Sequence, residues 1–177
     1  MPRLEIAPYD SAWARAFESE RQRIAVVLGL LARRIEHNGS TAVPGLDAKP
    51  VIDIQISVDR LQPLAAFAEP LASIGYVHMP HADDAVCPFF HRPAAWPHTH
   101  HIHVVTCGGQ EERRTLAFRD YLRDHRDLAA DYAQLKHRLA AQYDGDQPSQ
   151  REAYAAAKTA FIERVIRIAL TEGYPRG

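Results

Sequence analysis

The chain has 177 residues, 22 acidic and 21 basic side chains, and a formal net charge of -1. A near-neutral chain of this length, 46% hydrophobic and 24% charged, excludes disorder, a disulfide scaffold and a cationic surface for duplex DNA. Within the average sit two asymmetries: ten histidines, and only three lysines (Lys49, Lys136 and Lys158) among the 21 basic residues.

In chain order, Asp10 or Ser11 is placed to cap a helix starting near Ala12. Trp13, Phe17, Ile24, Leu28 and Leu31 mark its inner face. A short strand at Ile35–His37 precedes a turn-rich loop, Asn38 to Pro50. Val51 to Val58 alternates, with Ile52, Ile54, Ile56 and Val58 on an apolar face and Asp53, Gln55 and Ser57 on a polar face that must meet water or a site. The pattern predicts a helix over Gln62–Ser73 that Pro70 kinks or ends early. Strands follow at Tyr76–Met79, Pro88–Arg92 and His101–Thr106. The last third reads as three helices. They run over Leu116–Asp124, along Leu128, Tyr132, Leu135 and Leu139, and from a capping box at Ser149–Glu152 through Tyr154, Phe161, Val165 and Ile168. Helices at both ends of a strand-rich middle make the class α+β.

The longest apolar run, Ile24 to Ala32, is too short to cross a bilayer. The N-terminus carries no apolar signal core. Cys87 and Cys107 form no paired motif, which fits two reduced thiols in a cytoplasmic protein with no membrane partner.

The middle segment carries the chemistry. Residues 35–110 hold seven carboxylates against three basic side chains, together with most of the histidines. An acidic, imidazole-rich stretch suits a divalent cation. Gly39-Ser40-Thr41 is a tight turn whose backbone N–H groups and hydroxyls can wrap a phosphate. Asp53 follows on a strand with Gln55 two residues on, where a second metal-binding carboxylate would be expected. His101 and His103 share a strand face and suit metal ligation or acid–base work. Their spacing departs from that of histidine-triad hydrolases, because His101 stands where an apolar residue belongs. Arg119 and Arg123 lie one helical turn apart and either clamp an anion or pair with nearby aspartates. Lys49 and Arg92 are further phosphate candidates.

The stretch IEHNGSTAVPGLDAKPVIDIQISV, Ile35 to Val58, resembles the signature of the GrpB family. PYDSAW, THHIHVV, LAFRDYLRDH, YAQLKHRLA and YAAAKTAFI agree in order, so the resemblance covers nearly the whole chain. It implies a single domain over residues 1–177 with a nucleotidyltransferase-like mixed sheet flanked by helices, helical from about residue 110. It also implies that Gly39 and Ser40 meet a nucleotide's phosphates and that Asp53 is the first metal carboxylate. Gln55 departs from the second carboxylate, and only His101 or His103 is placed for the third. Asp53, Gln55, His101 and His103 therefore form the expected metal set, for Mg, Mn or Zn. Asp53, His101 and His103 form the expected catalytic set. Three readings are open: nucleotidyl transfer on a nucleotide or phosphorylated small molecule, a non-catalytic ligand-sensing or interaction module, and a metal-dependent phosphoesterase.

Overall fold

The computed structural model describes residues 5–143 and 147–176. Helix α1 (Ala12–Leu28) opens the fold. Its start is held by Asp10, whose Oδ1 accepts from the Ala12 N–H at 2.8 Å. The chain then forms β1 (Arg34–Asn38), a 3-10 turn at Ser40–Ala42, β2 (Ile52–Val58), α2 (Ala65–Ser73), β3 (Val77–His78), β4 (Phe89–Arg92) and β5 (His100–Thr106). Four helices follow: α3 (Gln110–Asp124), α4 (Arg126–Gln142), α5 (Pro148–Ala157) and α6 (Thr159–Thr171).

The five strands form one mixed sheet in the order β1-β2-β5-β4-β3. Strand β2 runs antiparallel to β1 and parallel to β5, and β4 runs antiparallel to both β5 and β3. The register sets Asp53 beside His101 and Gln55 beside His103. One face carries Ile52, Ile54, Ile56, Val58, Phe90, Ile102 and Val104, which pack on α1 and α2 with Phe67 and Leu71. A second cluster joins Val43 and Leu46 of the loop to Ala117, Leu122, Tyr132 and Val165 of the C-terminal helices. An alternating strand supplies one such apolar face for the price of its period alone.

Several expectations need correction. The polar face of β2 opens only at Asp53, which is half-buried. Gln55 and Ser57 are fully buried, and Thr115 of α3 donates to the Gln55 side-chain oxygen. Pro70 sits inside α2, which continues to Ser73. Leu31 is exposed, because Gly29 adopts φ 52° and turns the chain out of the helix. The third C-terminal helix is two helices that meet at Lys158. The first starts after Gln147, whose side chain makes no capping bond, with Pro148 in the first turn, so Ser149 lies inside the helix and not at its cap. The break shifts the helical phase, so Val165, Ile166 and Ala169 are buried while Ile168 is exposed. Among the described residues no helix is long and apolar enough to cross a membrane.

Candidate functional site

The sheet face opposite the α1/α2 core is shared. Helix α3 packs on part of it, with Thr115 against Gln55 of β2 and Arg119 against Glu36 of β1, and α4, α5 and α6 wall off a cavity of about 670 Å³ over the start of β2 and β5. That volume suits a small-molecule ligand. Of the candidates from the sequence, Ser40, Thr41, Lys49, Asp53, His101 and His103 all line it.

Gly39 begins the turn at φ 65°. A Cβ at this position would overlap the carboxylate of Asp53. Only glycine permits this backbone to pass so close to the aspartate. Thr41 is buried, with its hydroxyl donating to the Val51 carbonyl at 3.2 Å and lying 3.0 Å from His37 Nε2. It braces the turn.

Asp53 Oδ1 lies 3.3 Å from His101 Nδ1, and His101 Nε2 lies 3.2 Å from His98 Nδ1. The three side chains form a carboxylate–imidazole–imidazole chain. Burial opposes ionisation of Asp53, but the contact with His101, reinforced by His103 and Lys158, outweighs it and holds the carboxyl below its usual range. Burial pushes His98 and His103 down to about 4, so both are neutral imidazoles at pH 7. His98 stacks on His91 at 3.9 Å, and Phe89 packs 5.0 Å from both His101 and His103.

Other candidates lie elsewhere. Gln55 turns toward α3, where its oxygen accepts from Asn38 Nδ2 at 3.1 Å and from Thr115. Arg92 is on the opposite face, bound to the buried Glu20 at 3.1 Å. Arg119 pairs with Glu36 and Asp120. Arg123 donates to the Ala42 carbonyl at 2.9 Å and so supports the 3-10 turn from behind. The two arginines follow the local-pairing alternative and do not line the cavity.

The cavity also holds side chains that the sequence did not single out as ligands: His98, Trp96, Arg151, Tyr154, Lys136 and Lys158. All three lysines of the chain thus converge on one cavity. The Nζ atoms of Lys49 and Lys158 sit 4.4 and 4.5 Å from the Tyr154 ring centre. Lys136 Nζ donates to the Asp47 carbonyl and lies 4.8 Å from the Tyr132 ring centre. Burial, then mutual repulsion with Lys158, depresses Lys49 to about 8 and Lys136 to about 7. Burial also lowers Lys158. A signal for two of them existed in the sequence, since Tyr132–Lys136 and Tyr154–Lys158 repeat one Tyr-x-x-x-Lys spacing. The Tyr154 hydroxyl and the Trp96 indole N–H have no hydrogen-bond partner among the described residues.

The donors that a metal would need are already engaged. Gln55's oxygen is committed, Asp53 is held by His101, and both nitrogens of His101 are engaged. Among the described residues no group of three or more His, Cys, Asp or Glu side chains is arranged to hold a metal ion. The residues present do not fit the group. Cys87 and Cys107 are free thiols, and burial pushes Cys87 up to about 11.

The mixed sheet with flanking helices defines a nucleotidyltransferase-like fold. A cytoplasmic RNA terminal U-transferase superposes with a TM-score of 0.50 at 15% identity, over 74% of this chain and 42% of that one. The family model described as GrpB protein matches residues 3–167, and the chain belongs to the GrpB family. A UPF0157 protein of Pseudomonas aeruginosa is 39% identical, over 95% of this chain and 68% of that protein. A second, from Bacillus subtilis, is 35% identical, and the match spans about half of it (46%). The crystal structure of the conserved protein GrpB from Enterococcus faecalis superposes with a TM-score of 0.84 at 32% identity, over 95% of this chain and 98% of that one.

Proposed function

We propose that the cavity binds a nucleotide or another phosphorylated small molecule, with its phosphates toward the lysines and its reacting end toward Asp53, His101 and His98. The observation that carries this reading is the convergence of the chain's three lysines, drawn from a loop, α4 and the α5/α6 junction, on one cavity beside the Gly39-Ser40 turn. Ammonium groups gathered this way repel one another and need an anion to balance them. In a transfer reaction, the acceptor hydroxyl would give its proton to the imidazole chain as it attacks phosphorus. The bond between the α- and β-phosphates would break, and the lysines would stabilise the charge on the departing pyrophosphate. Calorimetry against ATP, GTP, CTP and UTP tests the binding. A measurable affinity, reduced in Lys49→Gln, supports it; no binding by any of the four removes it.

A second reading, a non-catalytic sensor or interaction module, is favoured by Gln55, which stands in the second carboxylate's place and is locked into the packing with α3. Mass spectrometry of α-phosphate-labelled nucleotide after incubation with candidate acceptors separates the two. Turnover lost in His101→Ala supports transfer, and binding without turnover supports the module. The phosphoesterase reading needs a metal donor cluster, which the histidine strand does not assemble among the described residues.

A further inference from the structure

A nucleotidyltransferase ordinarily answers the charge of a triphosphate with divalent cations on a cage of carboxylates. In this chain the cage is dismantled: one carboxylate is paired to an imidazole, and the amide that replaces the second points away. We propose that Lys49, Lys136 and Lys158 take the cations' place, and that the cavity holds a polyphosphate chain without a divalent metal. This rests on the reading of the cavity as a phosphate site, and it names the ligand class as an unchelated polyphosphate.

Three observations support the exchange. The positive groups come from three separate elements, so they surround the cavity and do not line one helix face. Acidic counter-charge is sparse: Asp53 and Glu152 are the only carboxylates lining the cavity among the described residues, Asp53 is committed to His101, and Glu152 is exposed. Two of the ammonium groups rest on one aromatic ring, Tyr154, whose π face attracts both. Burial and repulsion leave Lys49 and Lys136 easily deprotonated in the absence of ligand, the condition that a bound polyanion relieves. A metal-chelated triphosphate has part of its charge already neutralised, and so gains less from the triad.

The experiment is calorimetry on the full chain at pH 7 with two probes, ATP and inorganic tripolyphosphate, each with excess EDTA or excess Mg²⁺. The expected result is binding in EDTA at least as tight as in Mg²⁺. Lys49→Gln and Lys158→Gln should each weaken it roughly tenfold or more, as for loss of one charge-assisted contact. Lys158→Arg should retain most of it, and thermal melts should show that each variant is folded. Binding that appears only with Mg²⁺ overturns this proposal and leaves the phosphate-site reading standing. Binding in EDTA that is unaffected by the glutamine variants overturns the triad. No binding of either probe under either condition overturns both readings. Tripolyphosphate binding as well as ATP assigns recognition to the phosphate chain; ATP alone adds a requirement for the nucleoside.

Discussion

Two residues set the limits of the site. Gly39 lets the backbone turn press against Asp53. Gly39→Ala forces a side chain into φ 65° and against the carboxylate, so it should cost about 1–3 kcal/mol and displace Asp53. Urea denaturation and nucleotide affinity read the two effects separately. Gln55→Asp is the variant that would restore the second carboxylate. Its shorter side chain gives up Asn38 and Thr115 and buries a charge without a cation, at a cost on the order of 3 kcal/mol. The expected outcome is a less stable protein with no metal-dependent turnover; wild-type stability with Mg²⁺-dependent transfer would refute it. The pairing of Gly39-Ser40 with Asp53 was legible in the sequence, because a glycine turn followed by a strand aspartate is a local pattern. The fate of Gln55 was not, since it depends on Thr115, 60 residues away.

At the scale of elements, the sheet keeps its two faces chemically separate. On the α1 side, Glu20 is buried and binds Arg23, Arg92 and the Tyr76 hydroxyl. Glu20→Ala strands those partners and should lower stability by about 3 kcal/mol while leaving phosphate binding unchanged. Chemical denaturation and calorimetry on the same variant check this. Strands β2 and β5 were readable because alternation has period two and survives any context. The α5/α6 break was not readable, since the apolar spacing on each side looks continuous. The break matters to the site, because it places Lys158 at the cavity beside the Tyr154 ring.

For the whole molecule, the sequence placed an acidic, histidine-rich segment at the centre, and composition along the chain pointed to a cation. Folding reverses the sign: α4, α5 and α6 bring Lys136 and Lys158 across the sheet to join Lys49. Local composition records neighbours in sequence, and a site is made of neighbours in space. The pH dependence follows from the depressed lysines. Their folded values, about 8 for Lys49 and about 7 for Lys136, lie below the ordinary 10.5. The unliganded fold therefore gains stability as pH rises from about 7 toward 10.5, where the unfolded chain still binds the protons that the folded one has shed. Polyphosphate prefers the ammonium form, so its affinity should fall as pH rises from 7 to 9, with proton uptake on binding. Calorimetry in buffers of different ionisation enthalpy measures that uptake; affinity flat across this range would contradict the assignment. A ligand that binds only the folded chain stabilises it by mass action, so tripolyphosphate at a hundredfold excess over its Kd should raise the melting temperature by roughly 5–10 °C.

The scarcity of lysine also makes the chain chemically addressable. Apart from the terminal amine, every primary amine in the sequence lines one cavity. Two of them are basic enough to bind a phosphate yet shed protons near neutrality. A mild acylating reagent or a reductive methylation near pH 8 is therefore a site-directed label here, with Lys49 and Lys158 reacting ahead of the more deeply buried Lys136. Peptide mass mapping with and without a candidate compound turns protection of those amines into a direct screen for the natural ligand.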